Sequence, residues 1–222
     1  SMQVNLKLTH GKEWFNESIR RAINETHLIG SSKIFILTKS KFWIKNKFAQ
    51  NIQTDTLVKS LYCLDYEPTN PESWGVVLIS YTWEDDAHKM LSFSGKEARC
   101  KRLVQDIAVL NPKFASYLRP LNDNYEKYVQ EYDWISDENA LGAFKLNYPG
   151  DDIYSRDLFF QFKSVNSPAE NCGIYLAGCG ASFTGGWAEG GIQTAINCAC
   201  AVIKSCGGVL HPGNPLDAMN CQ

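Results

Sequence analysis

The stretch that most restricts this chain is Ile174–Asn197. There Gly178, Gly180, Gly185, Gly186, Gly190 and Gly191 fall between an apolar segment, Ile174-Tyr-Leu-Ala177, and an Ala- and Cys-rich run ending at Ser205. That order predicts a buried strand, a glycine-dense turn and a helix over Ala188–Ser205, closed by Gly207-Gly208. A helix N-terminus with small residues in its first turn offers unpaired N–H groups and a positive dipole end to an electron-rich ligand. Gly178 and Gly180 let the backbone approach such a ligand closely. Phe183 stands where the third glycine of Gly-x-Gly-x-x-Gly would fall, so this is not a dinucleotide loop of the Rossmann kind. Taken alone, the turn fits a ligand site and a plain tight connection equally well.

The rest of the chain interleaves helices and strands. Trp14, Phe15, Ile19, Ala22 and Ile23 recur at helical spacing, predicting an amphipathic helix over 12–28. Gly30-Ser31-Ser32 breaks it, and Lys33–Thr38 reads as a strand. Thr56–Leu64 fits a short helix or a strand, and Pro68, Asn70 and Pro71 mark a loop. Gly75–Thr82 is a near-continuous apolar strand of the kind buried on both faces. Lys96–Leu110 places Cys100, Leu103, Val104, Ile107 and Leu110 on one helical face, and Asn122–Gln130 reads as a further helix. Leu158–Phe162 and Ile174–Ala177 read as strands. With no internal repeat or low-complexity linker, the order predicts an α+β fold with a mixed sheet flanked by helices.

Charge and cysteine content narrow the function classes. Lys+Arg 22 against Asp+Glu 24 leaves −2, so no global charge asks for nucleic acid or anionic lipid. Residues 1–50 do hold nine basic against three acidic side chains, which fits a solvated helix face or a docking face for an acidic partner. Residues 170–222 carry only Glu170, Glu189, Lys204 and Asp217, so this quarter should be buried or lie against something apolar. No run approaches the ~18–20 apolar residues of a membrane span, and no signal-peptide core stands at the start. The eight cysteines include no Cys-x-x-Cys and no His at ligand spacing from a Cys pair, so no metal site is expected. Cys198, Cys200 and Cys206 read as small buried hydrophobes in a reduced, cytoplasmic chain. The sequons at Asn16 and Asn24 lie within a helix and read as incidental.

Four blocks in order, spanning about 12–208, resemble the flavin amine oxidase superfamily, in particular its L-amino acid oxidase and tryptophan 2-monooxygenase branch. The glycine run resembles the family's C-terminal flavin-binding segment. Ser31–Trp43 resembles its lysine strand, Ile79–Ala87 its central strand and acidic turn, and Tyr132–Phe144 its tryptophan segment. The resemblance implies FAD as cofactor and hydride transfer from the amino-acid α-carbon to flavin N5. It places Lys33 below the flavin ring, holding a water against N5, as the catalytic residue. Tyr81 would point its hydroxyl at the substrate carboxylate. Trp134, Phe144 and Trp187 would wall the substrate pocket, where apolar surroundings disfavour an ammonium substrate.

For the cofactor, the resemblance implies contacts from Gly178, Cys179 and Gly180 along the ribityl chain and phosphates. It implies backbone N–H groups of Gly186, Trp187 and Ala188 at the pyrimidine end, with Thr194 as a further candidate. Cys179 departs from the acidic residue many relatives carry there. Ala143 stands where a covalent flavin link is usually made, which argues against one.

The family's N-terminal strand, glycine loop and helix for the ADP half have no counterpart in the sequence, and Ser1-Met2 reads as a cleavage scar before a cloned segment. The expectation is therefore a C-terminal part of a longer oxidase, or a subunit, inactive without its FAD-binding half. Residues 1–165 would belong to the substrate-binding domain, and 166–222 would supply the last strand and helix of the FAD domain. The partners implied are an amine or amino-acid substrate and the missing half, with no nucleic acid and no membrane. Homo-oligomerisation, the substrate side chain, and the oxidase or monooxygenase outcome stay open. The competing reading is a non-catalytic binding or interaction module that has lost flavin.

Overall fold

The computed structural model describes residues 15–70, 72–163 and 173–219. In chain order come helix α1 (Glu17–Glu25), strands β1 (Leu28–Ile29) and β2 (Ser31–Thr38), and helix α2 (Phe42–Asn46). Strands β3 (Asn51–Gln53), β4 (Ser60–Leu64) and β5 (Gly75–Trp83) follow. Next are helices α3 (Glu84–Met90), α4 (Lys96–Leu110), α5 (Pro112–Ala115) and α6 (Tyr125–Tyr128). Strands β6 (Val129–Asp133) and β7 (Phe144–Lys145) precede helices α7 (Asp152–Phe159), α8 (Ala188–Ser205) and α9 (Pro215–Met219). The fold is α+β and divides into two compact units, one of residues 30–141 and one of 1–29 with 142–222. These units follow packing, whereas the boundary expected at 165 follows ligands.

The 30–141 unit is built on a five-stranded sheet in the order β3-β4-β5-β2-β6. Its ladders are antiparallel, with one isolated parallel bridge between Lys59 and Tyr81. β2 alternates, with Ile34 and Ile36 buried and Lys33, Phe35 and Leu37 half-buried on the opposite face. Ile34 and Ile36 join Ile79, Leu103, Ile107 and Phe114 in one core. At roughly 25 cal/mol per Å² of apolar surface, such side chains contribute about 1.5–3 kcal/mol each. Val76, Val77 and Leu78 face Leu37, Ile36 and Phe35, and the register then shifts between Ile34 and Phe35. The shift is a bulge in β5 at Ile79. Beyond it, Tyr81 comes directly opposite Lys33.

The other unit packs α1 against α7. Asn16 caps α1, its Oδ1 accepting the Ile19 N–H at 2.9 Å. Ile19, Ala22 and Ile23 meet Leu158, Leu176 and Ala181 in its core. β1 pairs antiparallel with β7, Ile29 opposite Phe144 and Leu28 opposite Lys145.

Several expectations hold and others need correction. The helices at 96–110 and 188–205 and the strand at 75–82 form as expected, and the 56–64 ambiguity resolves to β4. The helix expected over 12–28 is described only from Glu17 to Glu25; residues 12–14 lie outside the described part. Leu158–Phe162 is not a strand but the end of α7 and a 3₁₀ turn, Gln161–Lys163. Its short apolar run lacks length to distinguish the periods, and burial of Ser155 and Leu158 follows helical spacing. The helix expected over Asn122–Gln130 survives only as α6; Val129 onward is drawn into β6 by pairing with β2. The acidic turn after β5 is the first turn of α3, where Glu84, Asp85 and Asp86 complement the helix dipole. Of the three late cysteines, Cys198 is buried, Cys200 half-buried and Cys206 exposed.

Candidate active-site residues

In the 30–141 unit, β2 supplies Lys33, β5 supplies Tyr81, and Trp134 follows β6 with its N–H donating to the Ser31 carbonyl at 3.1 Å. Tyr81 and Tyr132 flank Lys33 on the neighbouring strands. The amine of Lys33 lies 4.6 Å from the Tyr81 ring centroid and 5.4 Å from that of Trp134. A cation over two aromatic faces is attracted by their quadrupoles, about 0.5–1 kcal/mol for each half-exposed pair. β2 is paired on both sides, so Lys33 is not a solvated strand-edge lysine. Among the described residues, neither its amine nor the Tyr81 hydroxyl has a hydrogen-bond or ion-pair partner.

Further rings frame this trio. Trp83 stands edge-on to Tyr81 with centroids 5.5 Å apart, and Tyr132 packs on Trp134 at 4.8 Å. The Tyr132 hydroxyl donates to the Asp137 carboxylate, which also accepts the Asn139 and Ala140 N–H groups. Tyr132 and Asp137 thus brace Trp134, a role invisible in the sequence because it depends on the loop after β6.

In the other unit, Ile174–Ala177 is extended but has no ladder partner among the described residues. The Gln161 side chain takes the place of a strand: its Nε2 donates to the Leu176 carbonyl and its Oε1 accepts the Leu176 N–H, both at 3.0 Å. Cys198 Sγ also donates to the Leu176 carbonyl at 3.1 Å. Burial pushes the Cys198 thiol up to about 11, and the thiols of Cys63 and Cys100 up to about 12, so these behave as packing groups rather than nucleophiles.

The chain then enters Gly178 at φ +131°, a conformation that side-chain-bearing residues rarely adopt. A 3₁₀ turn, Cys179–Ala181, leads through Ser182–Trp187 to α8. Thr194 accepts the Gly178 N–H at 2.9 Å, and its own hydroxyl lies 2.9 Å from the Gly190 carbonyl. The hydroxyl is thus buried in holding the turn, not presented to a ligand. Gly185 and Gly186 lie against β7. A Cβ at Gly185 would meet the Lys145 carbonyl at 2.5 Å, and one at Gly186 the Phe144 ring at 2.8 Å. Phe144 and the glycine turn are therefore packed face to face. Cys179 and Gly180 are half-buried, and Gly186, Trp187 and Ala188 are exposed. Among the described residues no side chain caps α8, which leaves its first N–H groups to an electron-rich group.

These features fit a flavin. A Cβ at Gly178 would meet nothing within 4 Å, so the backbone there faces open space, and the uncapped helix start lies ten residues on. Sequence reasoning missed Lys145 and Gln161. Lys145 follows the aromatic Phe144 directly, which could have flagged it; Gln161 has no such signal.

The chain belongs to the flavin containing amine oxidoreductase family, whose model matches residues 4–203. That membership implies FAD as cofactor. Among curated relatives, it is 56% identical over 222 residues to the tryptophan 2-monooxygenase of Pseudomonas savastanoi, covering all of this chain and 40% of that protein. It is 54% identical to the enzyme of that name from Pantoea agglomerans pv. gypsophilae, covering 99% of this chain and 39% of the relative. The chain thus spans about 40% of the length of these relatives. Wild-type putrescine oxidase bound to putrescine superposes with a TM-score of 0.58 at 15% identity, over 85% of this chain and 37% of that one. At that identity the likeness concerns the fold. No helix of the described residues is long and apolar enough to cross a membrane, and none of their His, Cys, Asp and Glu side chains cluster as a metal site.

Proposed function

We propose that this chain is the C-terminal, substrate- and flavin-facing part of an FAD-dependent L-amino acid oxidase or monooxygenase, with L-tryptophan as its first candidate substrate. The observation carrying this reading is the Lys33 amine, held over the Tyr81 and Trp134 rings with no hydrogen-bond or ion-pair partner among the described residues. FAD, when bound, supplies the acceptor for the hydride leaving the α-carbon. Lys33 would hold a water, and a proton at Nζ, beside that acceptor. Tyr81 Oη would donate to the substrate carboxylate, a charge-assisted bond that orients the α-carbon. Trp134 would wall the substrate, excluding water and favouring the neutral amine.

In the other unit, Phe144 and Trp187 are assigned to the substrate, Gly178, Cys179 and Gly180 to the ribityl chain and phosphates, and the Gly186, Trp187 and Ala188 N–H groups to the pyrimidine end. Thr194 is assigned a supporting role through Gly178. We keep residue 165 as the boundary between substrate-binding and FAD-binding portions. The names of the relatives favour the monooxygenase outcome, in which the oxidised amino acid is oxygenated and decarboxylated to an amide. Ile192 and Ile196 on α8 are 56% and 48% exposed, which supports a further polypeptide packing there.

By itself the chain should be colourless and turn over no amino acid; a flavin absorption band or peroxide release from the isolated chain would oppose the need for a second part. The test of the site uses the protein completed with its FAD-binding half, assayed with L-tryptophan and tryptamine. Tyr81→Phe should lower kcat/KM for the amino acid by roughly tenfold to a hundredfold, for about 1.5–3 kcal/mol of charge-assisted bonding. Tryptamine, lacking the carboxylate, should scarcely respond. Equal losses on both substrates would remove the carboxylate role.

A further inference from the structure

Lys145 is a lysine with 2% exposure that the proposed chemistry does not use. Its amine donates to Ser155 Oγ at 2.6 Å and to the Ser182 carbonyl at 2.7 Å. Ser155 is itself fully buried and also accepts from Asn147 Nδ2 at 2.8 Å. One side chain thus ties β7, α7 and the glycine turn together. Burial is expensive for a lysine and lowers the amine to about 8, and its two hydrogen bonds offset part of that cost.

The turn it holds is fixed at its first half by burial of Ala181 and Ser182 and by close approach of Ser182 and Thr184 to Gly190. Ser182 Oγ accepts the Thr184 N–H at 3.0 Å and lies 2.9 Å from the Cys179 carbonyl, fixing the first half. Beyond Thr184 the backbone rests on β7 through Gly185 and Gly186, neither of which has a side chain to lock it. Phe183, Thr184, Gly185 and Trp187 border a cavity of about 400 Å³ together with Lys145 and Asp152, so the turn opens to space beyond its contact with β7. A turn with open space beside it depends on its few hydrogen bonds.

We propose that Lys145 is a positioning residue for the flavin-facing backbone: by fixing the Ser182 carbonyl, it sets where the Gly186, Trp187 and Ala188 N–H groups stand. The proposal rests on the reading that these groups meet the flavin pyrimidine. In the protein completed with its FAD-binding half, Lys145→Met keeps the apolar stem and removes the donors. It should weaken FAD binding by about tenfold, titrated by flavin fluorescence on apoprotein. It should also speed amide exchange across 183–188 in the apoprotein. Ser155→Ala, which spares the bond to Ser182, should leave FAD affinity within about twofold. Leu103→Ala, a core truncation in the other unit, should lower Tm without altering FAD affinity. If Lys145→Met does not fold, Lys145→Gln, with a donor on a shorter chain, should show the same two effects in smaller degree. A folded Lys145 variant with wild-type FAD affinity and wild-type exchange at 183–188 overturns the proposal. Wild-type protein that binds no FAD would instead overturn the proposed function, and faster exchange in the variant would still uphold the hold on the turn.

Discussion

Thr194 offers the most direct check on how the turn before α8 is held. Its side chain is buried at 2% exposure, accepts the Gly178 N–H at 2.9 Å and lies 2.9 Å from the Gly190 carbonyl four residues back. Thr194→Val preserves shape and β-branching but leaves the Gly178 N–H without its acceptor. An unsatisfied buried donor costs about 1–3 kcal/mol, and because the Gly178 contact is only part-buried we expect the middle of that range, about 2 kcal/mol. For a chain of this size that corresponds to a fall in Tm of roughly 4–8 °C. Thr194→Ser keeps the hydroxyl and loses one methyl, about 1 kcal/mol. Thermal melts rank the two variants, and amide exchange separates their causes. The Gly178 amide should exchange faster in Thr194→Val and stay protected in Thr194→Ser. Equal protection of Gly178 in both would refute the hydrogen-bond account, leaving Thr194 as a packing residue only.

Two further outcomes concern Lys145 and Lys33. Burial holds the Lys145 amine near 8 against 10.5 in the unfolded chain, so between those values only the unfolded chain keeps the proton. Wild-type stability should therefore rise with pH relative to Lys145→Met across that window, by up to about 3 kcal/mol, and be flat below it; a constant difference in urea melts from pH 7 to 10 would contradict this. In the completed enzyme, Lys33→Met should slow flavin reoxidation far more than reduction, because its amine would serve the oxygen step; stopped-flow traces with equal losses in both half-reactions would contradict that role.

Much of this protein was legible along the chain wherever a structure is set by neighbours in sequence. The helical periods of Lys96–Leu110 and Ala188–Ser205 bury residues at regular spacing, so their ends matched the pattern. The apolar run at Gly75–Thr82 could only be an inner strand, and it is paired on both sides. The resemblance pointed to Lys33, Tyr81 and Trp134 in three separate blocks. Only the β5 bulge and the two ladders of β2 bring these three around one amine, because register decides which side chains share a face. Val129 and Gln130, the end of the helix expected over Asn122–Gln130, are instead drawn into β6 by pairing with β2. Lys145 and Gln161 were beyond reach for the same reason in stronger form. Their partners, Ser182 and Leu176, lie 37 and 15 residues away, and a buried amine or amide is specified by the distant carbonyl it satisfies.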